Sequence, residues 1–182
     1  MPRKPDTGLE SAILRSALQL LDNTGIDLLT MRDVARGANT STTTLYERFA
    51  DRQALLWGLV AKVQADIHQR VLPARSVEEL IAAVEQYLEE YPNRLDLCNR
   101  YWSEIMTSGR PRPVFELAKG LLISTRGFDP ESAEQVALSL AALLIGTAVL
   151  RRNAGDGNLA DALLSSSLRA AKTICQSLKE EV

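Results

Sequence analysis

Ser, Thr, Asp or Asn followed by apolar residues at i, i+3, i+4 and i+7 recurs from one end of this 182-residue chain to the other, and no stretch alternates polar with apolar residues. A short polar side chain placed this way accepts a hydrogen bond from the first free backbone N–H groups of a helix, and the period of 3.6 gives that helix one apolar face. The pattern restricts the chain to an all-α fold. Helix starts are read at Thr7 with Glu10, at Thr30, Ser41 and Asp51, at Ser76 with Glu79, at Asn93, at Pro113, at Asp129-Pro130 and at Asn158 with Asp161. The Gly- and Pro-bearing connections between them are short, as in a helical bundle.

Residues 29–49, LTMRDVARGANTSTTTLYERF, hold two helices of about two turns each with a turn-prone stretch between them. Helices this short do not stand alone in water. Together with the preceding helix, which carries Ile13, Leu14, Ala17, Leu18 and Leu21 on one face, they close into a three-helix unit of the helix-turn-helix type. Ala35 and Ala38 permit close approach, and Asn39 falls where the turn needs a left-handed backbone, which Asn tolerates better than any residue but Gly.

The third helix of that unit offers an outer face on which a nucleic acid can be read. Thr42, Thr43 and Thr44 lie at its N-terminal end, followed by Tyr46 and Arg48. A recognition helix enters the major groove with its N-terminal residues against base edges, and threonine supplies both a hydroxyl and a methyl that fits thymine. The backbone N–H groups following Thr30, Ser41 and Asp51, assisted by Arg32, Tyr46 and Arg52, are candidate phosphate contacts. Charge argues the other way. The chain has 21 Lys and Arg against 23 Asp and Glu, a net charge of −2, and residues 1–52 carry as many basic as acidic side chains. A helical hairpin with a solvated polar face therefore stays open on spacing and composition alone.

The run Thr30, Val34, Ala35, Ala38, Ser41, Thr44-Leu45-Tyr46, Phe49, Asp51-Arg52-Gln53-Ala54-Leu55-Leu56 resembles the DNA-binding signature of the TetR family of transcriptional regulators. The most specific part is the Leu-Tyr-x-x-Phe step followed at once by a capped helix with a basic residue in its first turn. The family's usual Gly-Val turn reads Asn39-Thr40 here, its usual Lys after the cap is Arg52, and Ala50 stands where Pro, Gly or a polar residue is common. The resemblance implies a DNA-binding head over 1–52 and a helical ligand-binding and dimerisation bundle over 53–182. It gives contacting roles to Thr30, Arg32, Thr42, Thr43, Tyr46 and Arg52, with Arg32 and Thr42 at bases and with Arg48 and Thr44 as secondary candidates. The implied function is a homodimeric repressor released from a palindromic operator in double-stranded DNA by a small molecule. A ligand-independent DNA binder or activator, and a small-molecule-binding protein with a vestigial head, are the alternatives.

The segment 130–153 is apolar nearly all round, so it needs cover on every side. An economical solution pairs it and the helix near 159–178 with their copies in a second subunit, as in the family the chain resembles; an internal core helix of a monomer is the alternative. Cys98, Tyr101, Trp102, Ile105 and Met106 recur at helical spacing, Tyr87 and Tyr91 form a second stripe, and Trp57, Val60, Gln64 and His68 lie on the helix from Asp51. Such stripes suit a plain core; the resemblance makes them the wall of a small-molecule cavity, with Gln64, His68, Arg100 and Tyr101 orienting an apolar or mixed-polarity ligand.

No enzyme is expected, since a single His, no phosphate-binding Gly loop and no metal-spaced cluster leave nothing to perform chemistry; no metal or cofactor is expected either. Cys98 and Cys175 are read as buried thiols of a reducing cytoplasm. The N-terminus has no apolar run like a signal peptide's, and the longest uncharged stretch, 135–150, is shorter than the ~20 residues a bilayer needs, so no membrane partner is expected.

Overall fold

The computed structural model describes residues 7–155 and 157–177, with side chains from 8 to 174. Among the described residues the chain is helical without strands, in the order α1 (Thr7–Thr24), α2 (Met31–Gly37), α3 (Thr42–Arg48), α4 (Arg52–Val71), α5 (Val77–Glu90), α6 (Pro92–Arg100), α7 (Trp102–Thr107), α8 (Pro113–Arg126), α9 (Pro130–Asn153) and α10 (Gly157–Ser177). The Thr7 side chain of the first expected cap, and the Cys175 thiol, lie outside the described residues.

Most starts follow the expected caps. Thr30, Ser41, Asp51 and Ser76 each accept a hydrogen bond from the backbone N–H three residues on, and Asp129 accepts from Glu131 and Ser132. Each such cap is worth about 1 kcal/mol. Three details differ from the sequence reading. Helix α10 begins at Gly157, so the start assigned to Asn158 lies one residue inside it. The start assigned to Asn93 belongs to Pro92, whose missing N–H suits the first helical position, and the Asn93 amide instead donates to the Asp22 carbonyl at 2.9 Å. The stripe from Cys98 to Met106 does not lie on one helix: Tyr101, at φ −101° and ψ 9°, ends α6 and begins α7.

The core runs unbroken from the head into the body through α4. Ile13, Leu21, Val34 and Leu45 are fully buried in the head, and on α4 Leu55, Leu59 and Val63 continue the same apolar column toward Val77 and Leu97. Gly58 is the point of closest approach, because a Cβ there would stand 2.9 Å from Phe49 Cε1 and 3.0 Å from Leu14 Cδ2. The α4 axis is thereby pressed against the head.

Helix α9 packs on α5, α6, α8 and α10. Ala133, Val136, Ala137, Leu140, Leu144 and Thr147 are buried, whereas Leu138, Ala142, Gly146 and Leu150, spaced by four, stand exposed as one stripe. By length and composition α9 is long and apolar enough to cross a membrane, which counting only uncharged residues had excluded; the core helix of a bundle meets the same test.

Candidate nucleic-acid interface and cavity

The helix pair α2–α3 owes its geometry to one glycine and one left-handed residue. Ser16 Oγ donates to the Val34 carbonyl at 3.0 Å, and a Cβ on Gly37 would lie 2.3 Å from that same oxygen, so only glycine lets α1 and α2 meet here. Asn39 follows with φ 52°. The Asn39 N–H bonds the Arg36 carbonyl and the Thr40 N–H bonds the Ala35 carbonyl at 2.9 Å, the two bonds of a Schellman motif. The Asn-Thr turn thus makes the same two hydrogen bonds as a glycine turn.

On α3, Leu45 is fully buried and Phe49 nearly so, which fixes the helix's rotation and turns Thr42, Thr43, Tyr46 and Glu47 outward. Tyr46 is 51% exposed, unusual for so large a ring. Arg32 is exposed on α2, and Arg48 is half-buried at the end of α3. The other expected contact residues are bonded within the head. Ser41 Oγ and Thr44 Oγ1 lie 2.9 Å apart, and the Thr30 hydroxyl donates to the Asp33 carboxylate at 2.6 Å. Arg36 pairs with Asp33 as well.

Arg52 departs most from the sequence reading. Its side chain is half-buried, with Nε donating to the Leu29 carbonyl at 3.1 Å and Nη2 to the Ile26 carbonyl. The guanidinium fastens the loop between α1 and α2 to the start of α4.

Beneath the head, α4, α5, α6, α7, α8 and α9 line a cavity of about 120 Å³ that is partly open to solvent. Gln64, Cys98, Trp102, Ile105 and Met106 line it as expected. So do Val77, Leu80, Ile81 and Val84 of α5, Phe115 and Ala118 of α8, Ala137, Leu140, Ala141 and Leu144 of α9, and Arg112 before α8, none of which the sequence reading had placed there. For the α9 residues the signal was that helix's apolar all-round pattern, which the sequence reading gave to a dimer surface or to the core of a monomer. Burial pushes the Cys98 thiol up to about 12, leaving it neutral and unreactive.

The remaining expected wall residues stand elsewhere. Trp57 meets Tyr101 edge to face at 5.1 Å under the Arg110 guanidinium, and the Tyr101 hydroxyl donates to Gln53 Oε1 at 2.9 Å. Val60 is plain core, and His68 is half-buried on α4 outside the cavity wall. Tyr87, Tyr91 and Arg100 serve the joint between head and body. Arg94 of α6 lies 3.7 Å from the Tyr91 ring centre and donates to the Tyr87 hydroxyl at 2.7 Å, and Arg100 pairs with Asp27 at 2.9 Å. Burial pushes the Tyr87 hydroxyl up to about 12. Arg94 also holds Asp22 of α1, so α6 forms part of the cavity wall through Leu95 and Cys98 and grips the head by three side chains, Asn93, Arg94 and Arg100. Sequence periodicity gives no sign of these pairs, which join residues more than seventy positions apart.

The model of the family described as "Bacterial regulatory proteins, tetR family" matches residues 13–57. The class A tetracycline repressor protein from transposon 1721 of Escherichia coli is 29% identical over 171 residues, covering 88% of this chain and 78% of that protein. An HTH-type transcriptional regulator of Mycobacterium tuberculosis is 22% identical over 178 residues, 93% of this chain and 91% of that one. Among solved structures, a TetR variant from Acinetobacter baumannii AYE in complex with minocycline superposes with a TM-score of 0.72 at 22% identity, covering 97% of this chain and 98% of that one.

Proposed function

Because this chain belongs to the TetR family of transcriptional regulators and is itself a DNA-binding regulator, we propose that it acts as a homodimeric repressor, released from a palindromic operator when a small molecule fills its cavity. One observation carries the reading: α6 is at once a wall of the cavity and the element whose Arg94 and Arg100 hold the head at Asp22 and Asp27. A molecule in the cavity presses on Leu95 and Cys98, and any displacement of α6 or α4 moves the head. Release requires only that the ligand bind the two head spacings unequally.

The division of labour is 1–52 for DNA and 53–182 for ligand and dimer. Arg32 and Thr42 face base edges, while Thr43, Tyr46 and Arg48 face the backbone. Thr30, Ser41 and Thr44 shape the N-terminal ends of α2 and α3, and Arg52 positions the head. The exposed stripe Leu138, Ala142, Gly146 and Leu150, with Leu159 and Leu168 on α10, supports a four-helix interface with a second copy. Two heads about 34 Å apart then read successive major grooves. Such a protein works in the cytoplasm, and its neutral head gives modest non-specific affinity for DNA.

Minocycline, which the Acinetobacter protein binds, is not carried over to this chain. Footprinting the DNA that flanks the gene tests the reading: a short palindromic footprint is expected, whereas broad coverage or none contradicts it.

A further inference from the structure

The cavity is long, apolar and charged at one place only. On α5 its lining takes in Val77, Leu80, Ile81, Val84 and Leu88, one face of the helix, and at 1.5 Å per residue the distance from Val77 to Leu88 is about 16 Å. A volume of about 120 Å³ drawn out along such a face is a narrow slot rather than a round chamber. No carboxylate and no histidine stands in the wall, and Arg112 is its one cation.

Arg112 lies where the slot opens. The α5 wall is buried throughout, whereas four of the seven half-buried residues of the lining, Trp102, Met106, Arg112 and Val114, flank the loop between α7 and α8. Arg126 in the last turn of α8 pairs with Glu78 in the first turn of α5. Arg112 precedes α8 at its other end, about 20 Å back along that helix, and so stands away from the Val77 end of the slot.

The guanidinium has five N–H donors, and among the described residues it uses one, from Nη2 to Glu116 Oε1 at 3.2 Å. It lies 4.6 Å from the ring centre of Phe115, itself part of the wall, which keeps it at the edge of the cavity. The Glu116 side chain is 53% exposed, and a single contact to so exposed a carboxylate is worth little against water. The remaining donors can take both oxygens of an incoming carboxylate in a forked bond. Deeper in, Leu80, Val84, Leu140 and Leu144 offer nothing to a polar group, so a ligand with one polar end and an apolar remainder suits the wall.

We propose that this cavity takes an elongated apolar monocarboxylic acid, with its hydrocarbon body along α5 and its carboxylate on Arg112. The inference rests on the reading of the cavity as the effector site and specifies the class of its ligand.

The test uses the full-length protein with octanoate, octanol and octylamine, one chain length under three head groups, and with butanoate as the short acid, titrated by calorimetry and by the shift of the unfolding temperature. Octanoate binds saturably and about tenfold tighter than octanol, and octylamine binds weakest of the three. Butanoate is at least about thirtyfold weaker than octanoate, because four methylenes no longer leave water. Arg112→Gln removes the advantage of octanoate over octanol, and Ala141→Leu, which fills the slot, abolishes binding of both. Should either variant fail to fold, the wild-type order of the four probes decides alone. Octanol or butanoate binding as tightly as octanoate, an octanoate preference that survives Arg112→Gln, or no saturable binding of octanoate overturns the proposal. Affinity for the footprinted DNA separates this outcome from that of the repressor reading. Octanoate that binds without altering DNA affinity keeps the ligand class and removes ligand-triggered release, whereas a cationic molecule that releases DNA from a chain indifferent to octanoate does the reverse.

Discussion

Arg94 donates two hydrogen bonds to the Asp22 carboxylate, from Nε at 2.8 Å and from Nη2 at 2.6 Å, and so joins α6 of the body to the last turns of α1 in the head. A forked pair of this kind fixes orientation as well as distance. Asp66 of α4 stands 3.7 Å from the same guanidinium, so the group that carries the head is also in reach of the helix on which the head rests.

Removing one partner leaves the other charge poorly solvated. Asp22→Ala costs about 1–3 kcal/mol of stability, since Arg94 keeps the Tyr87 hydroxyl, the Tyr91 ring and the more distant Asp66, and the double variant with Arg94→Ala loses less than the sum of the two single variants. Chemical unfolding of the four chains of this double-mutant cycle measures the coupling; additive effects would show that the pair does not act as a unit.

Gly37 is set against Ser16. Gly37→Ala brings a methyl 2.3 Å from Ser16 Oγ and lowers stability by about 1–2 kcal/mol, despite alanine's better helix propensity. Ser16→Ala removes the obstructing oxygen and restores most of the loss, which thermal unfolding of the double variant reads directly.

The DNA face gives effects of three kinds. Thr42→Ala relaxes preference at one base pair by about 1–3 kcal/mol; Arg32→Ala also lowers the salt dependence of binding by about one counterion; Tyr46→Phe weakens all sequences about equally. Arg52→Ala lowers head stability and leaves the salt slope unchanged, because its guanidinium is bonded to the carbonyls of Ile26 and Leu29. Anisotropy titrations at several salt concentrations distinguish the four.

Gly146 is blind to the single chain, since a Cβ there meets nothing within 4 Å. Gly146→Leu therefore leaves the fold of one subunit intact while wedging a four-helix interface apart. Sedimentation equilibrium should show a weakened dimer with unaltered helix content.

Burial pushes the Glu85 carboxyl above the usual range, opposed by its hydrogen bond with Ser167 of α10. A raised acid stabilises the fold below the ordinary Glu pKa and loses that contribution as pH rises through its folded value. Glu85→Gln accordingly flattens the fall in stability between acid and neutral pH, as unfolding at a series of pH values will show.

Much of the head was legible in the sequence because local rules fix it. Caps at Thr30, Ser41 and Asp51 and the left-handed Asn39 follow from side chains within a few residues of the backbone they satisfy. The break at Tyr101 was not legible, because Cys98 to Met106 keep helical spacing across it. The role of Arg52 was hidden too, since a basic residue beside a cap suits a phosphate and a carbonyl equally. Most of the cavity wall escaped for a related reason: the apolar faces of α5, α8 and α9 read as core, and only their arrangement in space leaves a gap between them.

Ligand-triggered release is tested most directly by the affinity of the full-length protein for its footprinted palindrome, measured with and without a saturating compound that raises the unfolding temperature of the wild type but not of Ala141→Leu. The account predicts at least a tenfold loss of DNA affinity when the cavity is filled. Equal affinities in the two conditions would contradict it.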